Sequence, residues 1–225
     1  MIKFNVVERE LLLYKFPQRI FAKELTKLIG KLQNMHIADV PCGSGEIAYS
    51  LARSGKNTVG AYDLSNTSIK KAKKNFKRPN LAYECKDIFD VLNHREKFNV
   101  VCLINSLFLL PDTDALLAKI WTSLESDGKL FLVVPNILSK NFIKFQELNK
   151  DVNSFSKEKA ELINIIENKG FLLESNKGII HFCFYGRSEL KYMSFFANFY
   201  LLLLNHFFKR NEPSYFIMSF NKKER

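Results

Sequence analysis

The sequence predicts an α/β protein built on a doubly wound, mostly parallel sheet. Short apolar runs such as 98–104 alternate with segments whose apolar residues recur at helical spacing, such as 112–126. The apolar runs are almost unbroken, which is typical of strands that helices cover on both faces. In such a sheet ligands bind beyond the carboxyl ends of the strands, so the turns that follow the strands are the places to look for function.

Several elements are predicted in order along the chain. Strands are expected at 35–40, 58–62, 81–85, 98–104, 129–134, 171–183 and 214–221. Helices are expected at 20–32 just after Pro17, from Gly45 to Gly55, after Ser65, at 112–126, and from Ser156 to Gly170. The 225 residues are expected to form one domain, with a helical cap over 1–34 and an apolar helical insertion over 186–213.

Composition narrows the class of protein but not its ligand. A charged fraction of 25% and a hydrophobic fraction of 47% are ordinary for a globular chain, which excludes disorder, collagen and coiled coil for the whole chain. The net charge of +11 favours encounter with anions, whether nucleic acid, a negative membrane surface or a small acid. The basic run at 70–78 is expected to be a solvated helix face, and phosphate contact is the alternative.

The four cysteines predict a reducing, cytoplasmic environment. None lies in a CxxC pattern and none has zinc spacing with a histidine, so no metal site is expected. Cys85, Cys102 and Cys183 lie in apolar runs and are expected to be buried free thiols. Charges interrupt the apolar stretch at the N-terminus, so it is not read as a secretory signal.

The first strand-to-helix turn indicates a ligand-binding loop. Gly43 and Gly45 would let the backbone approach a ligand, and the helix that follows would direct its free N–H groups to the same place. The pattern also fits the GxGxxA form of the dinucleotide fingerprint. However, Asp39 stands just before the glycines, where a carboxylate would repel a pyrophosphate and attract a cation. An NAD-binding dehydrogenase is therefore disfavoured.

The next turns add polar groups suited to a nucleoside. Asp63 ends the second strand, where a carboxylate accepts hydrogen bonds from ribose hydroxyls. Asp87 and Ile88 follow the third strand, where an acid can accept from an exocyclic amine and an apolar neighbour can lie against a base. Asn105 follows the fourth strand. A cationic ligand would gain from Asp39, and S-adenosylmethionine carries an α-ammonium, a sulfonium, a ribose and an adenine but no phosphate.

At these residues the chain resembles the class I S-adenosylmethionine-dependent methyltransferases, over about residues 35–225. The matching stretches are HIADVPCGSGEIA, VGAYDLSNTSIKKAKKN, LAYECKDIF, FNVVCLINSLFLLPD and LESDGKLFLVVPN. Pro41-Cys42 departs from the more common glycine of that family, and Cys42 is expected to pack beneath the loop rather than act as a nucleophile.

The resemblance implies a Rossmann-like sheet of seven strands, of which the last, near 215–221, is antiparallel. It also implies S-adenosylmethionine as cofactor, S-adenosylhomocysteine as product, and a set of binding residues. The methionine part would contact Arg19, Asp39, Gly43, Gly45 and Asn105; the ribose would contact Asp63; and the adenine would contact Leu64, Asp87 and Ile88.

The acceptor is less well defined by the sequence. The fourth turn lacks the Asn/Asp-Pro-Pro-Tyr/Phe motif of enzymes that methylate the amino groups of adenine or glutamine. No general base is evident, and His181 is the candidate catalytic residue. We therefore expect transfer to oxygen of a small apolar or aromatic acceptor, with lipid-like molecules included in that class. Methylation of RNA or protein, or a non-catalytic cofactor-binding scaffold, remains the alternative.

The stretch 192–208 is apolar and aromatic and ends in Lys209-Arg210. Polar residues interrupt it, so it makes a poor membrane span. It is expected to cover an apolar acceptor pocket, and contact with a second subunit or with a membrane surface through 190–210 are the alternatives.

Overall fold

A computed structural model describes residues 11–29, 32–93, 97–148, 155–180 and 212–223. The strands are β1 (His36–Asp39), β2 (Thr58–Asp63), β3 (Leu81–Cys85), β4 (Phe98–Ile104), β5 (Leu124–Pro135), β6 (Phe171–Ile179) and β7 (Tyr215–Lys222). The helices are α1 (Leu11–Ile29), α2 (Glu46–Leu51), α3 (Asn66–Asn75), α4 (Ile88–Leu92), α5 (Thr113–Ser123), α6 (Lys140–Leu148) and α7 (Lys159–Asn168).

The seven strands form one sheet in the order β3-β2-β1-β4-β5-β7-β6. Neighbours from β3 to β5 are parallel, whereas β7 runs antiparallel to both β5 and β6. The predicted doubly wound sheet with an antiparallel last strand is therefore confirmed. We call the edge where β1 to β5 end the carboxyl edge, and the edge where they begin the amino edge. The strand order reverses between β1 and β4, which places the expected ligand crevice at the carboxyl ends of these two strands.

The core lies in two halves, one on each face of the sheet. Alternate residues of β4 enter opposite halves: Val100 and Cys102 join one, and Val101 and Leu103 join the other. All four side chains are fully buried, as expected for a central strand covered on both faces. The buried sheet therefore holds the turns that follow its strands in fixed positions.

The first half of the chain differs from the prediction in two ways: one helix begins earlier than expected, and one short helix was not expected. The first helix begins at Leu11 and contains Pro17, although the sequence predicted that it begins after this proline. The ring fixes φ near the helical value, so the helix accommodates Pro17 at the loss of one backbone hydrogen bond. The short helix α4 was not predicted, because five residues give too little periodicity to recognise.

Boundaries also differ in the second half. The helix predicted to reach residue 126 ends at Ser123, and β5 begins at once. Its pairing with β4 then jumps from Phe98–Leu124 to Val100–Lys129, so Asp127 and Gly128, which precede the strand predicted at 129–134, lie inside an irregular stretch of β5.

Three further elements depart from prediction. Glu158 rather than Ser156 precedes α7 as its N-cap, α6 was not predicted as a helix, and β6 ends at Ile179. The insertion at 186–213 lies almost entirely outside the described residues, so its predicted helical character stays a prediction. Within the ranges described, no helix combines the length and apolarity needed to cross a bilayer.

Candidate functional site

The loop between β1 and α2 uses its two glycines differently. Both have left-handed backbone, with φ of +54° at Gly43 and +90° at Gly45. A Cβ on Gly45 would lie 2.8 Å from Ala72 Cβ and 2.8 Å from the Tyr83 ring, so this glycine lets the loop pack against α3 and β3. A Cβ on Gly43 would meet no atom within 4 Å. Gly43 therefore leaves the surface of the loop open, as close approach of a ligand requires.

Asp39, the last residue of β1, is only 1% exposed, and neither carboxylate oxygen has a hydrogen-bond partner of good geometry. The pKa of Asp39 is raised from about 3.8 to about 8, mainly by burial and also by the Asp63 charge, although the backbone N–H of Ala48 offsets part of the rise. A buried, unpaired carboxylate is costly, and a cationic ligand with several donors would relieve that cost.

Asp63, at the end of β2, ties the first two turns together. Its Oδ2 accepts the Gly43 N–H at 2.8 Å, and its Oδ1 accepts the Ser65 N–H at 2.8 Å. Ser65, not Asp63, caps α3 by accepting the Ser68 N–H. Each oxygen of a carboxylate accepts more than one bond, so Asp63 retains capacity for ribose hydroxyls. The neighbouring Leu64 is 69% exposed, which leaves an apolar surface beside the carboxylate.

Asp87 follows β3 and has a local structural role. Its Oδ1 accepts the Phe89 N–H at 2.8 Å and thereby caps α4. The cap uses one oxygen, and Ile88 behind it is buried. The predicted position at the third strand end is therefore correct, and contact between Asp87 and an adenine remains a prediction.

The end of β4 carries two further oxygens without partners. Asn105 has left-handed backbone, with φ of +52°, and its N–H donates to the Val133 carbonyl at 2.7 Å. Its side-chain Oδ1 is buried and has no hydrogen-bond partner. The next residue, Ser106, is 4% exposed, and its Oγ is likewise without a partner. Asp39, Asn105 and Ser106 thus place buried oxygens at the ends of the two adjacent strands where the strand order reverses.

Sequence reasoning selected Asn105 but missed Ser106. A serine after a strand end carries no pattern that separates it from an ordinary turn residue. Its burial without a partner is evident only once the surrounding residues are in place.

Comparison with known proteins agrees with this geometry. Residues 37–128 match a family model described as a methyltransferase domain. The sheet also superimposes on solved methyltransferase structures. One, an S-adenosylmethionine-dependent methyltransferase from Listeria monocytogenes, has a TM-score of 0.67 at 19% identity, covering 90% of this chain and 97% of that one. Residues 37–128 thus match a methyltransferase domain, and the chain has the fold of the solved S-adenosylmethionine-dependent methyltransferases.

Two other methyltransferases are similar to this chain, one in structure and one in sequence. The magnesium protoporphyrin IX methyltransferase from Synechocystis, solved with S-adenosylmethionine, has a TM-score of 0.64 at 13% identity, covering 99% of this chain and 87% of that one. At such identities the likeness shows the fold alone. A ubiquinone biosynthesis O-methyltransferase from Coxiella burnetii is 27% identical over 113 residues, 49% of this chain. That match covers 47% of the relative, so the similarity spans about half the length of this curated protein.

The residues at the strand ends of this chain fit S-adenosylmethionine. The unpartnered oxygens of Asp39 and Asn105 suit the hydrogen-bond donors of an α-ammonium, and Asp63 suits a ribose. Arg19 is exposed on α1, and its predicted contact with the methionine carboxylate stays a prediction. His181 lies outside the described residues.

The cysteines follow the prediction in part. Cys42 is buried beneath the loop, and burial together with the Asp39 and Asp63 charges raises its pKa well above the usual range, so the thiol is a poor nucleophile. Cys102 is also buried and free. Cys85 is exposed, so its predicted burial was wrong, because β3 is an edge strand with an exposed outer face. Cys183 lies outside the described residues.

The basic run forms a solvated face, as predicted. Helix α3 buries Ile69 and Ala72 against the sheet and exposes its lysines. Arg78 is half-buried, with its guanidinium carbon 4.4 Å from the centre of the Tyr49 ring. Its role is therefore at least partly packing.

Proposed function

We propose that this chain transfers a methyl group from S-adenosylmethionine to an oxygen of a small apolar or aromatic acceptor. The observation that carries the proposal is the buried, unpartnered carboxylate of Asp39 under a loop whose surface is open at Gly43. This arrangement favours a cationic ligand over a pyrophosphate. When bound, S-adenosylmethionine supplies a methyl group already activated by its sulfonium, so the protein's main task is to position the acceptor.

The proposed contacts follow the strand ends. Asp39 and Asn105 bind the α-ammonium, and Asp63 binds the ribose while it holds the Gly43 loop in place. Leu64 and Ile88 lie against the adenine, and Asp87 accepts from its amine. Gly45 supports the loop from behind through its packing on α3.

Transfer to oxygen of an apolar acceptor is supported by the name of one relative and by the residues that follow β4 and β5. The relative from Coxiella burnetii is named an O-methyltransferase. A groove follows β4 and β5 and is lined by Leu107, Phe108, Val134, Pro135, Phe155 and Leu162 together with the polar Thr113, Ser156 and Lys157. Its volume of about 20 Å³ is close to that of one water, so it supplies one partly apolar wall rather than a formed acceptor pocket. During transfer the acceptor O–C bond forms, the C–S bond breaks with its electrons on sulfur, and the acceptor proton passes to water.

The first test is calorimetric titration with S-adenosylmethionine and, separately, S-adenosylhomocysteine. Micromolar binding of both is expected. Asp63→Ala should weaken binding by about 1.5–3 kcal/mol, the value of hydrogen bonds to a charged group. Asp127→Ala is the matched control, because this exposed acid lies at the amino edge. Absence of binding to the folded wild-type protein, or unchanged affinity in Asp63→Ala, would contradict the proposed site.

The second test follows labelled methyl from the donor into a panel of phenols, RNA and protein. Incorporation into phenols is expected. The alternative acceptor, RNA, is favoured by the exposed lysines of α3 and the net charge of +11. Labelling of RNA with a steep salt dependence would replace the small-molecule proposal. Donor binding without transfer to any acceptor would favour a scaffold. Membrane or dimer contact through 190–210 stays a separate proposal, tested by vesicle flotation and by light scattering.

A further inference from the structure

Tyr83 lies beneath the glycine loop that follows β1. It is the middle residue of β3 and is only 7% exposed, whereas its neighbours Ala82 and Glu84 are exposed. Its hydroxyl donates to the Gly45 carbonyl at 3.2 Å. Gly45 is the N-cap of α2, so this hydrogen bond joins the third strand to the first strand-to-helix turn.

The Gly45 carbonyl does not depend on Tyr83 for a partner. It also accepts the Tyr49 N–H at 3.0 Å, which is the first hydrogen bond of α2. Without the Tyr83 hydroxyl, the carbonyl would therefore stay bonded within its own helix. What the bond from Tyr83 adds is a connection between two segments that are 38 residues apart in the chain.

The ring of Tyr83 and the bare backbone of Gly45 fit together. A Cβ built on Gly45 would lie 2.8 Å from the Tyr83 hydroxyl oxygen and 2.8 Å from a carbon of its ring. Burial above all, and the nearby Cys42 and Asp39 charges in addition, raise the pKa of Tyr83 above its usual range. The hydroxyl therefore keeps its proton and remains a donor to the loop backbone.

Asp63 holds the same loop at another point. Its Oδ2 accepts the Gly43 N–H at 2.8 Å, and it ends β2, the strand that pairs with β3. Gly43 is thus tied through its N–H and Gly45 through its carbonyl, from two neighbouring strands. Both glycines have left-handed backbone, and glycine has many other conformations open to it. Two ties at positions two residues apart restrict the turn to one of them.

We propose that Tyr83 is a positioning residue, whose hydroxyl holds the Gly45 turn in the conformation that binds the methyl donor before the donor arrives. This role rests on the proposed function and adds to it a residue that the donor does not touch. A loop that is already ordered in the free protein loses little conformational freedom on binding. Where only a fraction of the molecules has the competent loop, the apparent affinity falls in proportion to that fraction.

The test is Tyr83→Phe, which removes the hydroxyl and keeps the ring. Because the Gly45 carbonyl retains its bond from Tyr49, the variant leaves no carbonyl of this turn without a donor and should fold. Calorimetric titration should show the affinity for S-adenosylhomocysteine reduced about three- to tenfold, the range for loss of one hydrogen bond. S-adenosylmethionine should lose affinity by the same factor, since Tyr83 lies behind the loop.

Amide hydrogen exchange of the turn gives a second measurement, one that a general loss of stability would not change. The Gly43 N–H donates to Asp63, and the Gly45 N–H donates to the Cys42 carbonyl at 3.1 Å. These two amides should exchange faster in unliganded Tyr83→Phe than in the wild-type protein, because local opening of the turn becomes easier. Bound S-adenosylhomocysteine should slow their exchange again.

Ser123→Ala is the matched control. The Ser123 hydroxyl is buried and donates to the Ile120 carbonyl at 2.9 Å in α5, which packs in the half of the core opposite that of α2. Its loss removes a hydroxyl-to-carbonyl bond of the same kind, so the free energy of unfolding should fall about as much as in Tyr83→Phe. Donor affinity and exchange in the glycine turn should stay at the wild-type values. Tyr83→Met fills much of the space without a hydroxyl and gives the same comparison if the phenylalanine variant does not fold.

The outcomes separate this role from general stability and from the proposed function. Lower stability in Tyr83→Phe with unchanged affinity and unchanged exchange would overturn the role, because Tyr83 would then only satisfy its own hydroxyl. An equal loss of affinity in Ser123→Ala would overturn it as well, since the effect would follow stability. If the wild-type protein binds neither ligand, the proposed function and the donor-binding role fall together, and exchange in Tyr83→Phe still decides whether Tyr83 holds the turn.

Discussion

Asparagine side chains at the two edges of the sheet differ in how they are bonded. At the amino edge, Asn57 accepts the Met35 N–H at 3.0 Å and donates to the Leu32 carbonyl at 3.3 Å. Asn99, at the same edge, accepts the His36 N–H at 2.8 Å. At the carboxyl edge, the buried Oδ1 of Asn105 has no such partner. Asn57 and Asn99 close turns at the amino edge. After β5, Asn136 does the same by accepting the Leu138 N–H at 3.1 Å and donating to the Pro213 carbonyl at 2.9 Å, whereas Asn105 leaves a buried acceptor unpaired where the strand order reverses.

The bonded and the unbonded amides also differ in their effect on the stability of the fold. A buried amide bonded to backbone on both sides stabilises the fold, while a buried acceptor without a donor lowers stability until a ligand supplies one. Substitutions of bonded groups should therefore change unfolding, and substitutions of the unpartnered acceptors at the carboxyl edge should change donor binding. Each prediction below tests one side of that division.

The largest effect is expected for Asp39→Asn. It removes the negative charge that faces the α-ammonium, so the affinity for S-adenosylmethionine should fall by about 3 kcal/mol, as when one partner of a buried ion pair is lost. The unliganded protein should keep or gain stability, because an unpaired buried carboxylate is removed. Calorimetry and thermal unfolding measure the two quantities. Loss of stability with unchanged affinity would reverse the assignment.

Gly45→Ala should act on folding, whereas Gly43→Ala should act mainly on binding. Gly45 combines a φ of +90° with a built Cβ only 2.8 Å from Ala72 and Tyr83, so the free energy of unfolding should drop by about 2–3 kcal/mol. Gly43 has open space around its Cβ position, so only the backbone cost of about 1 kcal/mol is expected. Denaturant unfolding of both variants measures the difference. Equal destabilisation would mean that the two glycines have the same role.

Asn57→Ala should destabilise the fold by about 2 kcal/mol, because it leaves the Met35 N–H and the Leu32 carbonyl without their partner. Affinity for the donor should not change, since Asn57 lies at the amino edge. Urea unfolding measures the first quantity, with donor titration on the same sample. A selective loss of donor binding would break the division between the two edges.

A change of pH should alter donor affinity by an amount comparable with these substitutions. Because burial raises the pKa of Asp39 to about 8, this group is largely protonated at pH 6 and must ionise to bind a cation. Affinity for S-adenosylmethionine should therefore rise between pH 6 and 8, by at most about 1.4 kcal/mol per pH unit, with release of a proton. Calorimetry in buffers of different ionisation heat counts that proton. A flat affinity over this range would show that Asp39 does not titrate on binding.

The same group predicts the pH dependence of stability without ligand. The folded pKa lies above the unfolded value near 3.8, so the folded state holds a proton that the unfolded state has lost. Stability from Asp39 is therefore present at low pH and is lost as the pH rises from about 4 to about 8. Asp39→Asn should remove this component of the pH profile.

Much of the fold was predictable because it depends on local patterns. The run 98–104 was predicted with the bounds that β4 has, since a strand covered on both faces is apolar at almost every position, and here Asn99 is the polar residue. Local patterns failed where long-range packing decides. The helix before β5 stops at Ser123 because the chain from Leu124 onward pairs with β4, and nothing in residues 124–126 announces that pairing.

The sequence by itself determined the seven strands, most of the helices, the glycine turn, and the acids at three successive strand ends, because each depends on residues close together in the chain. Only the tertiary structure decided which buried oxygens have partners. Asp39 and Ser106 come from different strands, and their hydrogen bonds depend on neighbours distant in sequence. Satisfaction of a buried polar group is a property of the whole packed environment, so it was readable only after the chain had folded.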